Sequence, residues 1–300
     1  MPAVTPLMVK ELREKTGAGM LDCKKALEAS DCNIEEAITW LREKGIAKAE
    51  KKASRVAAEG LCSFEINGND AVVFEVNSET DFVAQNQKFT DLIAQIGGII
   101  VNSDAKCTDC ALAVEVEGKT LNQVILEASG TIGEKLSLRR VSRVVKNDNQ
   151  VFGAYKHMGG RIVTLAVLDG NDNECAKDVA MHVAASSPKY VSNEDIPAQE
   201  IAKEREILLA QAKEENSTSA KPKPDAIIEK MVEGRLKKNL QEICLLDQPF
   251  VKNPDQTVAA YVASKGCKVV SFIRLAVGEG IEKEVVDFAA EVAAQAGLNK

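Results

Sequence analysis

The sequence has no GxxxxGK[ST] phosphate loop, no HExxH, no GxSxG, and only two histidines, His157 and His182. The first absence excludes a P-loop nucleotide site within the chain, because such a site needs glycine amides and a lysine around the phosphates. The closest glycine cluster, Gly278-Glu279-Gly280, carries an acid where phosphate would be repelled. The other absences remove two hydrolase signatures and leave general acid–base catalysis few candidates. No apolar run approaches the ~18 residues of a membrane span, so no membrane association is expected. The first residues, Met1-Pro2-Ala3-Val4-Thr5-Pro6, show neither a basic region before an apolar stretch nor an Arg- and Ser-rich character. A cytoplasmic location is therefore expected. Excess positive charge is missing too. The formal net charge of −7 argues against nonspecific binding to nucleic acid, whose phosphates attract Lys and Arg, and favours a protein partner.

The eight cysteines are scattered, and a reducing cytosol would keep them as thiols. One pair, Cys107-Thr108-Asp109-Cys110, has CxxC spacing. A structural zinc site needs two more Cys or His ligands; the other cysteines are single and both histidines lie far away in sequence. The pair reads as part of a surface loop, and no metal or cofactor is expected.

What is present is the pattern of an α+β protein, with 45% hydrophobic and 28% charged residues over 300 positions. Residues 1–55 read as an N-terminal three-helix unit and a tether. Thr5-Pro6 starts a first helix and Gly17 can end it; Cys23, Ala26 and Leu27 share a face of a second that continues back to Met20. A third begins at Asn33, with Glu36 placed as in a capping box, and buries Ile34, Ala37, Ile38 and Leu41. The Lys- and Ala-rich stretch 44–55 reads as the tether. Residues 56–146 form a first core subdomain, with Cys62, Phe64 and Ile66 alternating, a turn at Asn67-Gly68, a return through Val72, Phe74 and Val76, and a helix over 87–96. Residues 147–195 with 241–280 repeat that plan as a second subdomain. It has a hairpin over 151–168, a helix over 173–186 carrying Cys175, Val179 and Val183, and a further strand over 268–277. Between its parts, residues 196–240 read as an inserted helical hairpin, with Ile201, Leu208 and Leu209 facing Ile227, Ile228 and Met231. Residues 281–300 form a C-terminal helical module whose helix, 284–296, has Val285, Phe288 and Val292 as its stripe.

One pentapeptide stands out, Thr80-Asp81-Phe82-Val83-Ala84, at the exit of the strand 71–77. Alone it has a bland reading, since Thr or Asp before a helix is an N-cap and a lone Phe is core. It is accompanied by the run from Leu12 to Leu27 around Thr16-Gly17-Ala18-Gly19-Met20, by Met181-His182-Val183-Ala184-Ala185-Ser186, by Lys230-Met231-Val232-Glu233-Gly234-Arg235, and by Gly278-Glu279-Gly280-Ile281-Glu282-Lys283. In this order the five motifs resemble bacterial translation elongation factor Ts, the guanine-nucleotide exchange factor of elongation factor Tu, over residues 9–292.

The resemblance implies a protein that binds elongation factor Tu in its GDP form and accelerates GDP release without covalent chemistry, and so is not an enzyme. It assigns Thr80, Asp81, Phe82 and Val83 to partner binding and magnesium dislocation, with Phe82 as an aromatic wedge and Asp81 beside it. It adds Arg13 and Met20 on the N-terminal bend. It also adds His182, pressing the phosphate-loop side of the partner, although the helical spacing of His182 from Asp178 allows a simple i,i+4 contact. His157 reads as structural, and the stripe around Phe288 is a further contact candidate. The resemblance supports the helical protrusion, through which a homodimer could form, and likens the N-terminal unit to ubiquitin-associated modules. Two other classes of function remain to be separated. A helical adaptor would bind without altering GDP release. A thiol or zinc enzyme at Cys107 and Cys110 would contain zinc or turn over with dithiols.

Overall fold

The computed structural model describes residues 3–50, 52–218 and 223–282. It opens with three helices whose ends follow from their caps. Helix α1 (Pro6–Thr16) starts where the Thr5 hydroxyl accepts the Met8 amide at 3.3 Å. It stops at Gly17, whose φ of 65° is the left-handed conformation that glycine adopts without a Cβ penalty. α2 (Met20–Ala29) and α3 (Ile34–Glu50) follow, and the Asn33 side chain accepts the Glu35 and Glu36 amides. Leu12, Cys23, Ala26, Leu27 and Ala37 close the core of this bundle.

Next come β1 (Glu59–Asn67) and β2 (Asp70–Ser78), joined by a two-residue turn. They are followed by α4 (Asp81–Ala84), α5 (Gln87–Val101) and α6 (Thr108–Leu112). The short strands β3 (Glu115–Val116) and β4 (Lys119–Thr120) lead to α7 (Leu121–Ile132) and β5 (Ser137–Val145). β1, β2 and β5 make a three-stranded sheet in the order β1-β2-β5, while β3 pairs only with β4. In α5, Phe89, Leu92, Ile93, Ile96 and Ile100 are buried at the spacing of one helical face.

The stretch 44–55, expected as a tether, is helical as far as Glu50 and docks on α7. Gly45 and Gly130 let the two backbones meet, since a Cβ on Gly130 would lie 2.7 Å from the Gly45 Cα. Arg42 adds an ion pair to Glu127 at 3.0 Å. The physical reason is size: a bundle of about forty residues buries too little of itself to stand alone.

Cys107 and Cys110, expected as thiols, form a disulfide at the start of α6. One turn of helix brings positions i and i+3 together, with the Cα atoms 5.2 Å apart, inside the span a disulfide bridges.

A second sheet, in the order β10-β7-β6, uses β6 (Gln150–His157), β7 (Ile162–Asp169) and, last in the chain, β10 (Lys268–Ala276). β6 and β7 are antiparallel, paired from Gln150↔Asp169 to His157↔Ile162. β7 is central, and its run Val163–Leu168 is buried throughout, as a strand covered on both faces must be. α8 (Asn173–Ser186) packs against it through Cys175, Ala176, Val179 and Val183. The helical pair α9 (Ala198–Ser217) and α10 (Asp225–Ile243) then intervenes. Its seam is Leu208 and Ala212 against Ile228, Val232 and Leu236. Ile227, expected in that seam, is exposed, because α10 turns the i, i+4, i+8 row beginning at Ile228 inward. β8 (Pro249–Phe250), β9 (Asn253–Thr257) and α11 (Val258–Ser264) complete the chain before β10.

By backbone proximity the chain divides into two compact units. One comprises the described parts of Met1–Cys62, Phe74–Ser142 and Ala276–Lys300, and the other Ser63–Val73 with Arg143–Leu275. The helix expected over 284–296, with Val285, Phe288 and Val292, lies outside the described residues.

Candidate partner-binding site

Thr80-Asp81-Phe82-Val83 occupies the exit of β2, in the first unit. α4 is a single turn, with Thr80 at its N-cap and Val83 as its buried residue. Phe82 is 81% exposed, the highest value for a large apolar side chain among the described residues. Consecutive helical positions point about 100° apart, so burying Val83 turns Phe82 outward. Asp81 is exposed beside it.

The backbone under Phe82 is held by a reciprocal pair of carboxylates that the sequence reading missed. Glu134 accepts the Thr80 amide at 2.9 Å and the Thr80 hydroxyl at 2.6 Å. Glu79 in return accepts the Lys135 amide at 2.6 Å, and Arg55 pairs with Glu79 at 3.0 Å. Burial pulls the Glu79 carboxyl upward, but the Lys135 amide and Arg55 outweigh it and leave the group below the usual carboxylate range. Each segment thus holds the other by a charge-assisted hydrogen bond across more than fifty residues of chain. No local signal marks such a brace. Only the acids at both ends, Glu79 and Glu134, could have suggested it.

Arg13 and Met20 lie on the first bundle. Both are exposed, Met20 at 61%, and neighbouring Leu21 at 74%. With Val4, Pro6 and Val9 they line a groove of about 610 Å³, rimmed by Lys10, Arg13 and Lys24. The expectation that Met20 extends the buried face of α2 fails, because it stands at the first position of the helix, before α1 covers that face. The Gly17 bend is tied to the start of α5 by Lys88, whose ammonium donates to the Gly17 carbonyl at 3.1 Å. That bond joins the bend to the segment following Phe82.

The second unit holds both histidines. His182 is fully buried. Its Nδ1 accepts the Val251 amide at 3.1 Å and its Nε2 lies 2.9 Å from Gln248 Oε1. The Gln248 amide nitrogen donates to the Glu242 carbonyl, which fixes the side-chain orientation. A backbone amide can only donate, so the imidazole is neutral with its proton on Nε2. Burial pushes its pKa down, against the smaller upward pull of Gln248. Asp178 does not pair with it; that carboxylate takes Lys252 at 2.5 Å and the Tyr261 hydroxyl at 2.8 Å. His157, read from the sequence as structural, is exposed at the end of β6, beside Met158, which is 68% exposed.

The Gly278-Glu279-Gly280 motif serves the fold of the first unit. Buried Glu75 accepts the Gly278 amide at 2.8 Å and pairs with Arg139 and Arg140. Among the described residues, no group of three or more His, Cys, Asp or Glu could hold a metal ion, and no helix is long and apolar enough to cross a membrane.

Residues 79–279 match the family model described as Elongation factor TS. A curated relative, Elongation factor Ts of Acholeplasma laidlawii (strain PG-8A), is 55% identical over 293 residues, covering 97% of this chain and 98% of the relative. The chain belongs to the elongation factor Ts family. Membership carries the family's role in protein biosynthesis, guanine-nucleotide exchange on elongation factor Tu during translation elongation. The family match begins at Glu79, the first residue of the brace under Phe82. The relative's alignment, covering 97% of the chain, takes in most of the N-terminal bundle as well.

Proposed function

We propose that this elongation factor Ts binds the GDP-bound form of elongation factor Tu and expels GDP by inserting Phe82 near the partner's magnesium site. The observation that carries this reading is an aromatic ring 81% exposed on a braced backbone. Leaving such a ring in water forgoes about 1.5–3 kcal/mol of burial, which a partner can recover by opening a cleft for it. Weakening GDP a thousandfold requires about 4 kcal/mol of differential binding. The wedge therefore supplies part, and contacts elsewhere supply the rest, with linkage making the antagonism between exchange factor and nucleotide reciprocal.

Thr80 and Val83 hold the wedge from inside while Asp81 presents a carboxylate beside it. Arg13 and Met20 bind through the groove on the bundle, which suits the apolar face of a partner helix flanked by acids. His182 acts through the segment whose Val251 amide it accepts, and exposed His157 and Met158 offer the second unit a direct contact. No covalent step is involved, so the protein is not an enzyme in that sense, and it needs no cofactor, metal, nucleic acid or membrane. It works in the cytoplasm.

The N-terminal bundle, residues 1–55, is of the ubiquitin-associated type. The hairpin-and-helix segments of 56–146 and of 147–195 with 241–280 are copies of one duplicated plan, and 281–300 is a separate module. The hairpin 196–240 forms a homodimer contact, a reading supported by the exposure of Ile207 and Ile227 outside its seam. The deciding experiment is release of a fluorescent GDP from elongation factor Tu with and without this protein. Tight binding with unchanged release would reduce it to an adaptor.

A further inference from the structure

Cys107 and Cys110 differ from every other cysteine of the chain. Cys23, Cys62, Cys175, Cys244 and Cys267 are buried, and Cys32 is half-buried. Burial pushes the Cys62 and Cys175 thiols up to about 12 and the Cys244 thiol up to about 11, so at neutral pH they are protonated and unreactive. Cys107 and Cys110 are exposed, and they are bonded to each other.

The bond encloses only two residues, and closing so short a loop removes little entropy from the unfolded chain. It is a poor staple. Helix α6 has other attachments: the Thr108 hydroxyl accepts the Val141 amide of β5 at 3.1 Å, and Ala111 is fully buried. Opening the bond leaves α6 in place and two accessible sulfurs side by side. The Cys110 amide donates to Cys107 Sγ at 3.2 Å, which keeps the two ends of the bridge on one turn.

We propose that Cys107 and Cys110 form a reversible dithiol–disulfide site whose reaction partner is a thiol of the glutathione class. A reductant thiolate attacks one Sγ, forming a mixed disulfide and releasing the other cysteine as a thiolate that takes up a proton. A second reductant thiolate displaces the cysteine from the mixed disulfide. The products are the protein dithiol and the oxidised reductant, with two electrons passed to the protein. The reverse sequence closes the bond. The site shares no residue with the proposed partner-binding surface.

The test equilibrates the full chain in buffers of varied reduced and oxidised glutathione, followed by acid quenching, unfolding and counting of thiols with a mass-adding maleimide. A single transition from eight thiols to six is expected, with the mass falling by two hydrogens and no glutathione retained. Both Cys107→Ser and Cys110→Ser should abolish that internal oxidation. The proposal is overturned if eight thiols persist across the range, if the lost thiols carry glutathione, or if the internal oxidation survives in Cys107→Ser.

Discussion

Phe82 in the first unit and His182 in the second are both marked by family motifs, and the structure treats them in opposite ways. Phe82 sits on a one-turn helix whose only buried side chain is its neighbour, Val83. His182 sits on a fourteen-residue helix, in line with buried Cys175, Asp178 and Val179 at i−7, i−4 and i−3. A short element braced by its backbone can present a side chain to water without losing its own fold. A long amphipathic helix turns every residue on its inner face into core. The same strength of motif therefore falls on a solvent-facing side chain in one unit and on a buried one in the other.

His182→Ala should produce the largest effect, on stability. It leaves a void and strips partners from Gln248 Oε1 and the Val251 amide, which together should cost about 2–4 kcal/mol. Thermal unfolding of the full chain measures this, and an unchanged melting temperature would dissolve the contrast.

Phe82→Ala should invert that pattern. Stimulated GDP release is expected to slow at least about tenfold, some 1.4 kcal/mol, while stability moves by less than about 0.5 kcal/mol. Should the variant melt early and exchange normally, Phe82 belongs to the core after all.

Glu134→Gln sharpens the comparison by loosening the brace while leaving the wedge intact. Replacing a charge-assisted acceptor with a neutral one should cost about 1 kcal/mol, felt as an exchange loss of up to about fivefold, smaller than that of Phe82→Ala. Exchange indifferent to this change would show that Phe82 needs no fixed backbone.

The smallest effects are those of pH, and they separate the units. The folded His182 binds its proton less readily than the ordinary imidazole at 6.5. Its contribution is complete above 6.5 and declines as the pH falls below that toward the lowered folded value, because the unfolded chain then holds more protons. Glu79 is also lowered, from 4.5, so the contribution of the brace is complete above 4.5 and is lost as the pH falls through its folded value. Melting curves of His182→Gln against the natural protein should show a flatter pH dependence from about pH 7 to about pH 5, since the two proteins differ there only in the buried imidazole. Identical slopes would remove the histidine from the acid response.

Much of the fold was legible because its signals are local. Thr5, Gly17 and Asn33 mark helix ends, and the run 163–168 reads as a strand without knowledge of its neighbours. The stripe of Cys175, Val179 and Val183 places His182 on the inner face of α8 by helical spacing alone. The elements 108–145 were not legible. β3 and β4 are two residues each, and β5, although nine residues long, joins its sheet only through pairing with β2.

The sequence by itself determined the family, the capped helix ends at Thr5, Gly17 and Asn33 and the identity of the outward aromatic candidate, since these depend on residues near one another in the chain. Only the tertiary structure decided which marked side chains face solvent. It also revealed that Glu79 and Glu134 lock the strand exit to the end of α7, and that the supposed tether docks on that same helix. Burial and long-range hydrogen bonds depend on which distant segments meet, and that is a property of the packed chain.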